Sequence, residues 1–479
     1  MRAWSALLLA AALLVGATRP ALAGFARSGT LLRLVSPAGP YTTILAALQA
    51  AQEGDTIQVQ PGIYPGAIVV DKSVTLEGIN FPVIDGGGQG TVVTLRAPGI
   101  VFKGFEVRGS GVEPDRDHAG VTVTATQVTV ENNRLQDVLF GIFVADAERA
   151  VIRGNQISSK VEYEQGRRGD AIRLWYSQDA VVEANHVHDA RDIVIWYSEN
   201  VKILNNTIEN GRYGVHLMYC DGARIEHNTL RANSVGIYVM YSNNVLLNHN
   251  DIRGHHGSSG YALGFKDADN VLVTGNLLVD NHAGTFLDGA PYSPQGYARF
   301  EANTLAYNDI GVLLMPAVKR AEFRQNTFWE NIEQMAIQGG GQGQNFWSGN
   351  YWSDYSGFDA DGDGQGDMPY HAERLFENLT DREPLLQALI YSPAAQAIEM
   401  AAAAFPLFRP QPKLIDDAPE MRPMALAPTA VAQPGSPVLM VATALGFLAT
   451  GVVIGLIGLG ISRPRRRIAA ALSQPIEET

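Results

Sequence analysis

Residues 206–250 read NTIENGRYGVHLMYCDGARIEHNTLRANSVGIYVMYSNNVLLNHN. An asparagine followed two residues later by an apolar residue recurs at Asn206/Ile208, Asn228/Leu230 and Asn250/Ile252, a period of 22. The signature extends both ways, to Asn133/Leu135, Asn155/Ile157 and Asn185/Val187, and to Asn276/Leu278, Asn303/Leu305 and Asn326/Phe328. Longer steps contain insertions, Lys160 to Gly169 and His255 to Gly260. Short alternating apolar runs at this period predict one coil of a right-handed parallel β-helix per repeat. Like side chains then stack about 4.8 Å apart on successive coils. Asparagine suits the corner because it hydrogen-bonds its copies above and below. A leucine-rich repeat would need more leucine and a helical period, and neither is present. The predicted class is all-β, a solenoid of about ten turns over residues 55–356.

Five segments align around one strand: AIRLWYS (171–177), IVIWYS (193–198), GVHLMYC (214–220), GIYVMYS (236–242) and ALGFKDA (262–268). Strand side chains alternate between faces. The columns of Ile172, Ile193, Val215, Ile237, Leu263 and of Leu174, Ile195, Leu217, Val239, Phe265 must point inward. Arg173, Val194, His216, Tyr238, Gly264 and Trp175, Trp196, Met218, Met240, Lys266 then face out, because Arg173 and Lys266 resist burial. This predicts an exposed contact stripe containing Trp175, Trp196 and Tyr238. His216, Met218 and Cys220, at i, i+2 and i+4, are expected on one side, with Met240 stacked on Met218. Imidazole, thioether and thiol favour Cu(I), so these four are the candidate copper ligands. The pair His227 and His249, stacked in adjacent turns, is the second choice. His186, His188, His255, His256 and His282 fall at turns or insertions and read as solvated hydrogen-bonding residues.

A second metal-like motif is Asp359-Ala-Asp361-Gly-Asp363-Gly-Gln365-Gly-Asp367. Its acids stand at positions 1, 3, 5 and 9 with glycine at 6, as in the front of an EF-hand loop. Asp359, Asp361, Asp363, Gln365 and Asp367 are the candidate ligands for a structural Ca²⁺. Position 12 is Tyr370, so the bidentate acid must come from elsewhere, Glu373 or Asp381.

The ends carry targeting signals. Met1-Arg2, an apolar run from Ala6 to Val15 and Ala21-Leu22-Ala23 predict a secretory signal peptide, residues 1–23. Residues 24–54 form an N-terminal cap in which Tyr41 to Gln52 has helical spacing. Such a helix covers the open sheet edge. After the β-helix come an Asp-rich cap (357–392) and a Pro/Ala-rich linker (393–437). Val438 to Ile461 is charge-free and long enough to cross a bilayer, and Arg463, Arg465, Arg466 and Arg467 follow. The tail 462–479 is therefore expected in the cytoplasm, and the body outside the membrane. Gly451 and Gly455 form a GxxxG within this span.

Composition narrows the function. The chain has 479 residues, 46% hydrophobic and 18% charged, which excludes general disorder. A net charge of −13 argues against nucleic-acid binding. One cysteine excludes an internal disulfide.

From Thr42 to Leu386 the chain resembles the NosD family of exported copper-binding β-helix proteins, within the carbohydrate-binding and sugar-hydrolase-like (CASH, pectin-lyase-like) group. The resemblance rests on ALQAAQEGDTIQVQPGIYPG, the N-x-I/L/V turns with G-I/V-x-V/L-M/W-Y, and GNYWSDYSGFDADGDGQGDMPY. It implies a non-enzymatic periplasmic metallochaperone supplying copper for the copper centres of nitrous oxide reductase, in denitrification. It also implies partners: the membrane and ATPase subunits of an ABC transporter, and a copper chaperone lipoprotein. No catalytic residues carry over. The competing class is a polysaccharide-binding or polysaccharide-modifying β-helix protein, a lyase, epimerase or hydrolase. Such an enzyme needs an acid/base pair on the outer columns, and none is evident there.

Overall fold

The computed structural model describes residues 31–257 and 259–424. Three long parallel sheets of 14, 12 and 13 strands wind together. The chain visits each in turn, making a right-handed β-solenoid of about 14 turns with about 23 residues per turn. Most three-residue strands bury only their central residue, as in Arg224–Glu226 and Thr207–Glu209. Such strands present one apolar side chain inward, longer strands of the twelve-strand sheet such as Tyr213–Met218 present two, and these stack into one continuous core. Burying each Val, Leu or Ile is worth about 1.5–3 kcal/mol, and parallel stacking repeats that gain every coil.

The corner asparagines build a ladder. Asn206 donates from its backbone N–H and its Nδ2 to Oδ1 of Asn228, at 2.9 Å each. Asn228 does the same to Asn250, at 3.0 Å each. The ladder runs from Asn133 to Asn350, every member almost fully buried. The residue before each rung lies in the left-handed region, for instance Asn205, His227 and His249. Buried polar groups must be bonded, and the ladder satisfies the corner in every turn it occupies.

Fourteen turns exceed the ten expected. The first strand, Leu32–Val35, lies inside the stretch assigned to the N-terminal cap and pairs with Thr56–Val59. Turns before Asn133 carry no corner asparagine. Phe105 occupies the position and stacks on Phe102 at 4.8 Å, so the period has no marker there. The capping helix is Ile44–Ala50, with Ile44, Ala47 and Leu48 buried and Thr43 as N-cap. Lys72 Nζ closes its far end through the carbonyls of Leu48, Gln49 and Ala51.

The described part of the predicted linker is structured instead. Residues Pro393–Ala404 form a helix, and Ile415–Asp416 pairs antiparallel with Tyr370–His371. Composition suggested a linker because proline and alanine dominate. The segment folds because Lys413 and Asp416 find partners in the last coils. Lys413 is buried against Glu333 and Asp381. Among the described residues no helix is long and apolar enough to cross a membrane. The predicted signal peptide (1–23) and membrane span (438–461) lie outside the described residues.

Candidate metal-binding face

The candidate ligands stand on the twelve-strand sheet. Its register pairs Trp175, Trp196, Met218, Met240 and Lys266 in one column, and Arg173, Val194, His216 and Tyr238 in the next. Strand Tyr213–Met218 turns Val215 and Leu217 into the core, so His216 and Met218 project outward. His216 Nε2 lies 3.2 Å from Met240 Sδ across the neighbouring coil. Met218 and Met240 are half-buried and directly paired. His216 is 9% exposed, and its Nδ1 has no hydrogen-bond partner. Burial lowers its pKa to about 4, with nearby Arg212 and Arg191 acting the same way and Asp192 opposing. The imidazole is therefore neutral at neutral pH, with a lone pair for a metal.

Aromatic rings enclose the patch. His216 has Tyr213 at 5.0 Å, Trp196 edge-on at 5.9 Å and Tyr238 at 6.5 Å, centroid to centroid. Beyond Trp196, the Arg173 guanidinium lies 5.0–5.7 Å from the ring centres of Phe140, Phe143, Trp175 and Trp196. At the other end Lys266 is bonded to Asp288 at 2.7 Å.

Three predictions about this face need correction. Cys220 is not beside His216 and Met218. Tyr219 takes φ 56°, ending the strand and reversing the alternation. Cys220 is fully buried, its thiol on the carbonyls of Ile195 and Met218 and its N–H on Ser242 Oγ. It replaces one serine in a buried hydroxyl row that includes Ser177, Ser198 and Ser242. Burial pushes the thiol up to about 11, so the thiolate that binds metals is suppressed.

Second, Trp175, Trp196 and Tyr238 are half-buried rather than freely exposed. Their neighbours Tyr176, Tyr197, Tyr219 and Tyr241 form the outermost row, stacked at 4.9, 5.1 and 5.0 Å. All four lie in the left-handed region, which turns two consecutive side chains outward. The recurring Tyr after Trp or Met was the available signal.

Third, the outer columns do have carboxylates at their edge. Asp170 and Asp192 are buried there. Asp170 bonds Arg191 at 2.8 Å, and Asp192 bonds Arg212 through both oxygens. Burial, against the attraction of Arg191, pushes Asp170 up to about 6. Asp170 lies two residues before its strand and Asp192 opens its own, both outside the aligned columns, so alignment passed over them.

The second-choice pair, His227 and His249, is exposed and stacked at 5.4 Å. His249 Nδ1 is engaged by Asn248. Their position is set by the left-handed corner. His255 is no solvated turn residue: it is fully buried, and its Nδ1 accepts from Asn233 N–H at 3.0 Å.

Asp359, Asp361 and Asp363 bring one carboxylate oxygen each within 4.8 Å of one another. Their other contacts are backbone N–H groups of Gly362, Gly364, Asp363 and Gln365. Asp367 caps Ala360 N–H instead, and Gln365 is exposed. The proposed completing acids lie elsewhere: Asp381 is bonded to Lys413, and Glu373 faces His371 and Arg409. Glu420 lies beside the loop. Its backbone pairs with that of Gln365, and burial, then the charges of Asp363 and Asp416, hold its carboxyl above the usual range.

Residues 155–357 match the family model described as "Periplasmic copper-binding protein (NosD)". The "Probable ABC transporter binding protein NosD" of Pseudomonas aeruginosa is 29% identical over 382 residues, 77% of this chain and 88% of that protein. Its namesake in Stutzerimonas stutzeri is 27% identical over 403 residues, 79% and 91% of the two chains. The family model and both relatives support a kinship of this chain with the NosD family. The matched core, residues 155–357, includes every candidate copper ligand. A mannuronan C-5 epimerase A-module from Azotobacter vinelandii shares the fold, with TM-score 0.51 and 18% identity over 65% of this chain and 93% of that one.

Proposed function

We propose that this chain is a periplasmic factor that receives Cu(I) on its outer face and passes it on for copper-centre assembly in nitrous oxide reductase. The carrying observation is His216 Nε2 at 3.2 Å from Met240 Sδ, with Met218 alongside. One neutral imidazole and two thioethers are soft donors that select Cu(I) over Ca²⁺ or Zn²⁺. Copper is cargo here, so a shallow three-donor site at a half-buried surface suits release as well as capture. Trp196, Tyr213 and Tyr238 shield it from water, and the outer tyrosine row offers contact to a docking partner.

The proposed partners are an ABC transporter, whose membrane and ATPase subunits act at the membrane, a copper chaperone lipoprotein and the reductase. Residues 438–461 anchor the body to the cytoplasmic membrane in this reading, with the arginine cluster inside. Asp359, Asp361 and Asp363 hold a structural Ca²⁺ that orders the C-terminal cap; the oxygen-only donor set fits a hard cation. The role is binding and transfer. Asp170 and Asp192 are committed to Arg191 and Arg212, so a polyuronide turnover assay should give no product.

The test is an anaerobic Cu(I) competition titration of the full chain. Met218→Leu combined with Met240→Leu conserves volume. It should keep the fold while weakening Cu(I) binding at least tenfold and lowering copper loading of the reductase. Unchanged affinity and normal maturation would place the site elsewhere.

A further inference from the structure

Between Pro384 and Phe408 the sequence has a single charged residue, Glu399. Its carboxylate is turned onto the body, where it accepts from the backbone N–H groups of Leu375 and Phe376. Seven large apolar side chains, about a third of those exposed among the described residues, lie in this stretch. Leu385 is 89% exposed, Tyr391 75% and Leu407 92%. Phe405 and Phe408 meet edge to face at 6.3 Å and stay exposed.

The helix Pro393–Ala404 is the centre of the stretch, and its buried residues are Ala395 and Ala402, two turns apart. The opposite stripe, Pro393, Ala397, Met400 and Ala404, has the i, i+4, i+7, i+11 spacing of one helix face and is exposed throughout. An outer face without charge is the pattern of a covered helix, not of a solvated one. At 12 residues the helix is about 18 Å long, too short to cross about 30 Å of hydrocarbon. Apolar helices of this length are core helices or lie along a bilayer interface, and this one is outside the core.

The stretch is fixed to the solenoid. In the preceding helix, Leu375–Arg382, Asp381 accepts from the backbone N–H of Ile337, on the edge strand of the twelve-strand sheet. Beyond the stretch, Lys413 is buried between Glu333 and Asp381. The exposed patch therefore moves with the last coil. Arg382 and Arg409 bracket it, and both are exposed.

Two observations select lipid as the occupant. Residues 425–437 separate the described body from the charge-free stretch 438–461 proposed as the membrane anchor. That length of chain spans at most about 45 Å, so the anchor keeps the last coil within that distance of a bilayer. Protein interfaces are depleted of alanine and organised around shaped anchors. A lipid surface asks for apolar area, with aromatic rings at headgroup depth and arginines near phosphates, and this stretch supplies all three.

We propose that residues 384–408 lie in the extracytoplasmic interface of the membrane, with Leu385, Tyr391, Met400, Phe405, Leu407 and Phe408 entering the acyl boundary. The last coil of the solenoid then rests on the bilayer. The inference rests on the reading of 438–461 as the anchor, and the experiment separates the two.

The full chain, in the Cys220→Ser background, is reconstituted into vesicles of phosphatidylethanolamine and phosphatidylglycerol. A nitroxide is attached in turn at Leu385→Cys, at Leu407→Cys, at Val452→Cys in the anchor, and at Ile63→Cys, an exposed site on the first coils. Its collisions with oxygen, which concentrates in lipid, are compared with those with a water-soluble nickel chelate. The oxygen-to-nickel ratio at 385 and 407 should exceed that at 63 severalfold and persist in high salt. Met400→Asp/Phe405→Asp should return the 407 probe to the aqueous value with the melting curve unchanged. An aqueous ratio at 385 and 407, with a lipid ratio at 452, would overturn the proposal and keep the anchor. A lipid ratio at 385 and 407, with an aqueous one at 452, would keep the lipid contact and remove the anchor. Aqueous values at all four positions would overturn both. Spin–spin broadening at 407 that survives dilution with lipid would assign the patch to a second copy and overturn lipid contact.

Discussion

Asp416 accepts from both the backbone N–H and the Nδ2 of Asn350, at 3.1 and 2.9 Å, through the same carboxylate oxygen. Asn350 accepts that same pair of bonds from Asn326. A residue 66 positions downstream thus stands where the next rung would be. Trp352 Nε1 donates to the same oxygen at 3.1 Å. The last coil therefore ends on a carboxylate from the returning chain rather than on exposed donors, which closes a ladder that otherwise templates further pairing.

Removing that terminator should cost measurable stability. Asp416→Ala leaves three buried donors without a partner, each worth about 1–3 kcal/mol. Asp416→Asn restores a neutral acceptor of the same shape and should recover most of the loss. Chemical denaturation and hydrogen exchange at Asn350 measure both; equal stability of Asp416→Ala and the parent would mean that water serves as well.

His255 gives a pH signature. Its pKa is lowered to about 3 by burial, against about 6.5 when unfolded. A depressed group contributes stability that is complete above about pH 6.5 and is lost as pH falls towards 3. His255→Asn puts an amide where Asn281 and Asn308 serve in the following coils. It should fold at pH 7 and remove up to about 1.4 kcal/mol per pH unit from the acid limb. Stability curves at pH 7 and pH 4.5 test this; parallel curves for parent and variant would contradict it.

Cys220 and the methionine pair separate packing from ligation. Cys220→Ser places a hydroxyl in a row that already holds Ser198 and Ser242 on either side. It should leave both the melting temperature and Cu(I) affinity unchanged within error, where Met218→Leu/Met240→Leu weakens Cu(I) alone. A large loss of copper affinity in Cys220→Ser would require the thiol to turn out of the core.

Lys413 is the counter-ion of a buried acidic site. Its ammonium is fully buried between Glu333 and Asp381. Burial raises both carboxyls above their ordinary range even with Lys413 present. Lys413→Met strips the compensating charge and should cost about 3–5 kcal/mol. Protease should then cut sooner in residues 405–424 than in the coils. The triple change Lys413→Met/Glu333→Gln/Asp381→Asn should recover part of the loss.

Calcium should act on the same end of the molecule. Ligand binding to the folded state raises stability by mass action. Added Ca²⁺ should raise the melting temperature relative to chelator, and not at all in Asp359→Asn/Asp361→Asn. Identical curves with Ca²⁺ and chelator would remove the ion from the cap.

The sequence by itself determined the coil. From Asn133 onward the asparagine period and the two-residue alternation specify which side chain enters the core on the strands, because both are local properties repeated each turn. That is why the register joining Trp175, Trp196, Met218 and Met240 was legible before any coordinates. The facing of Cys220 was not. It depends on one left-handed residue, Tyr219, that reverses the alternation; a single tyrosine does not favour that conformation, and only its recurrence after Trp or Met in each turn marks it. The ion pair between Lys413 and Glu333 and the closure of Asn350 by Asp416 were likewise decided only in three dimensions. Each joins a coil to the returning C-terminal segment, and the contact is fixed by where the solenoid places its turns and its end.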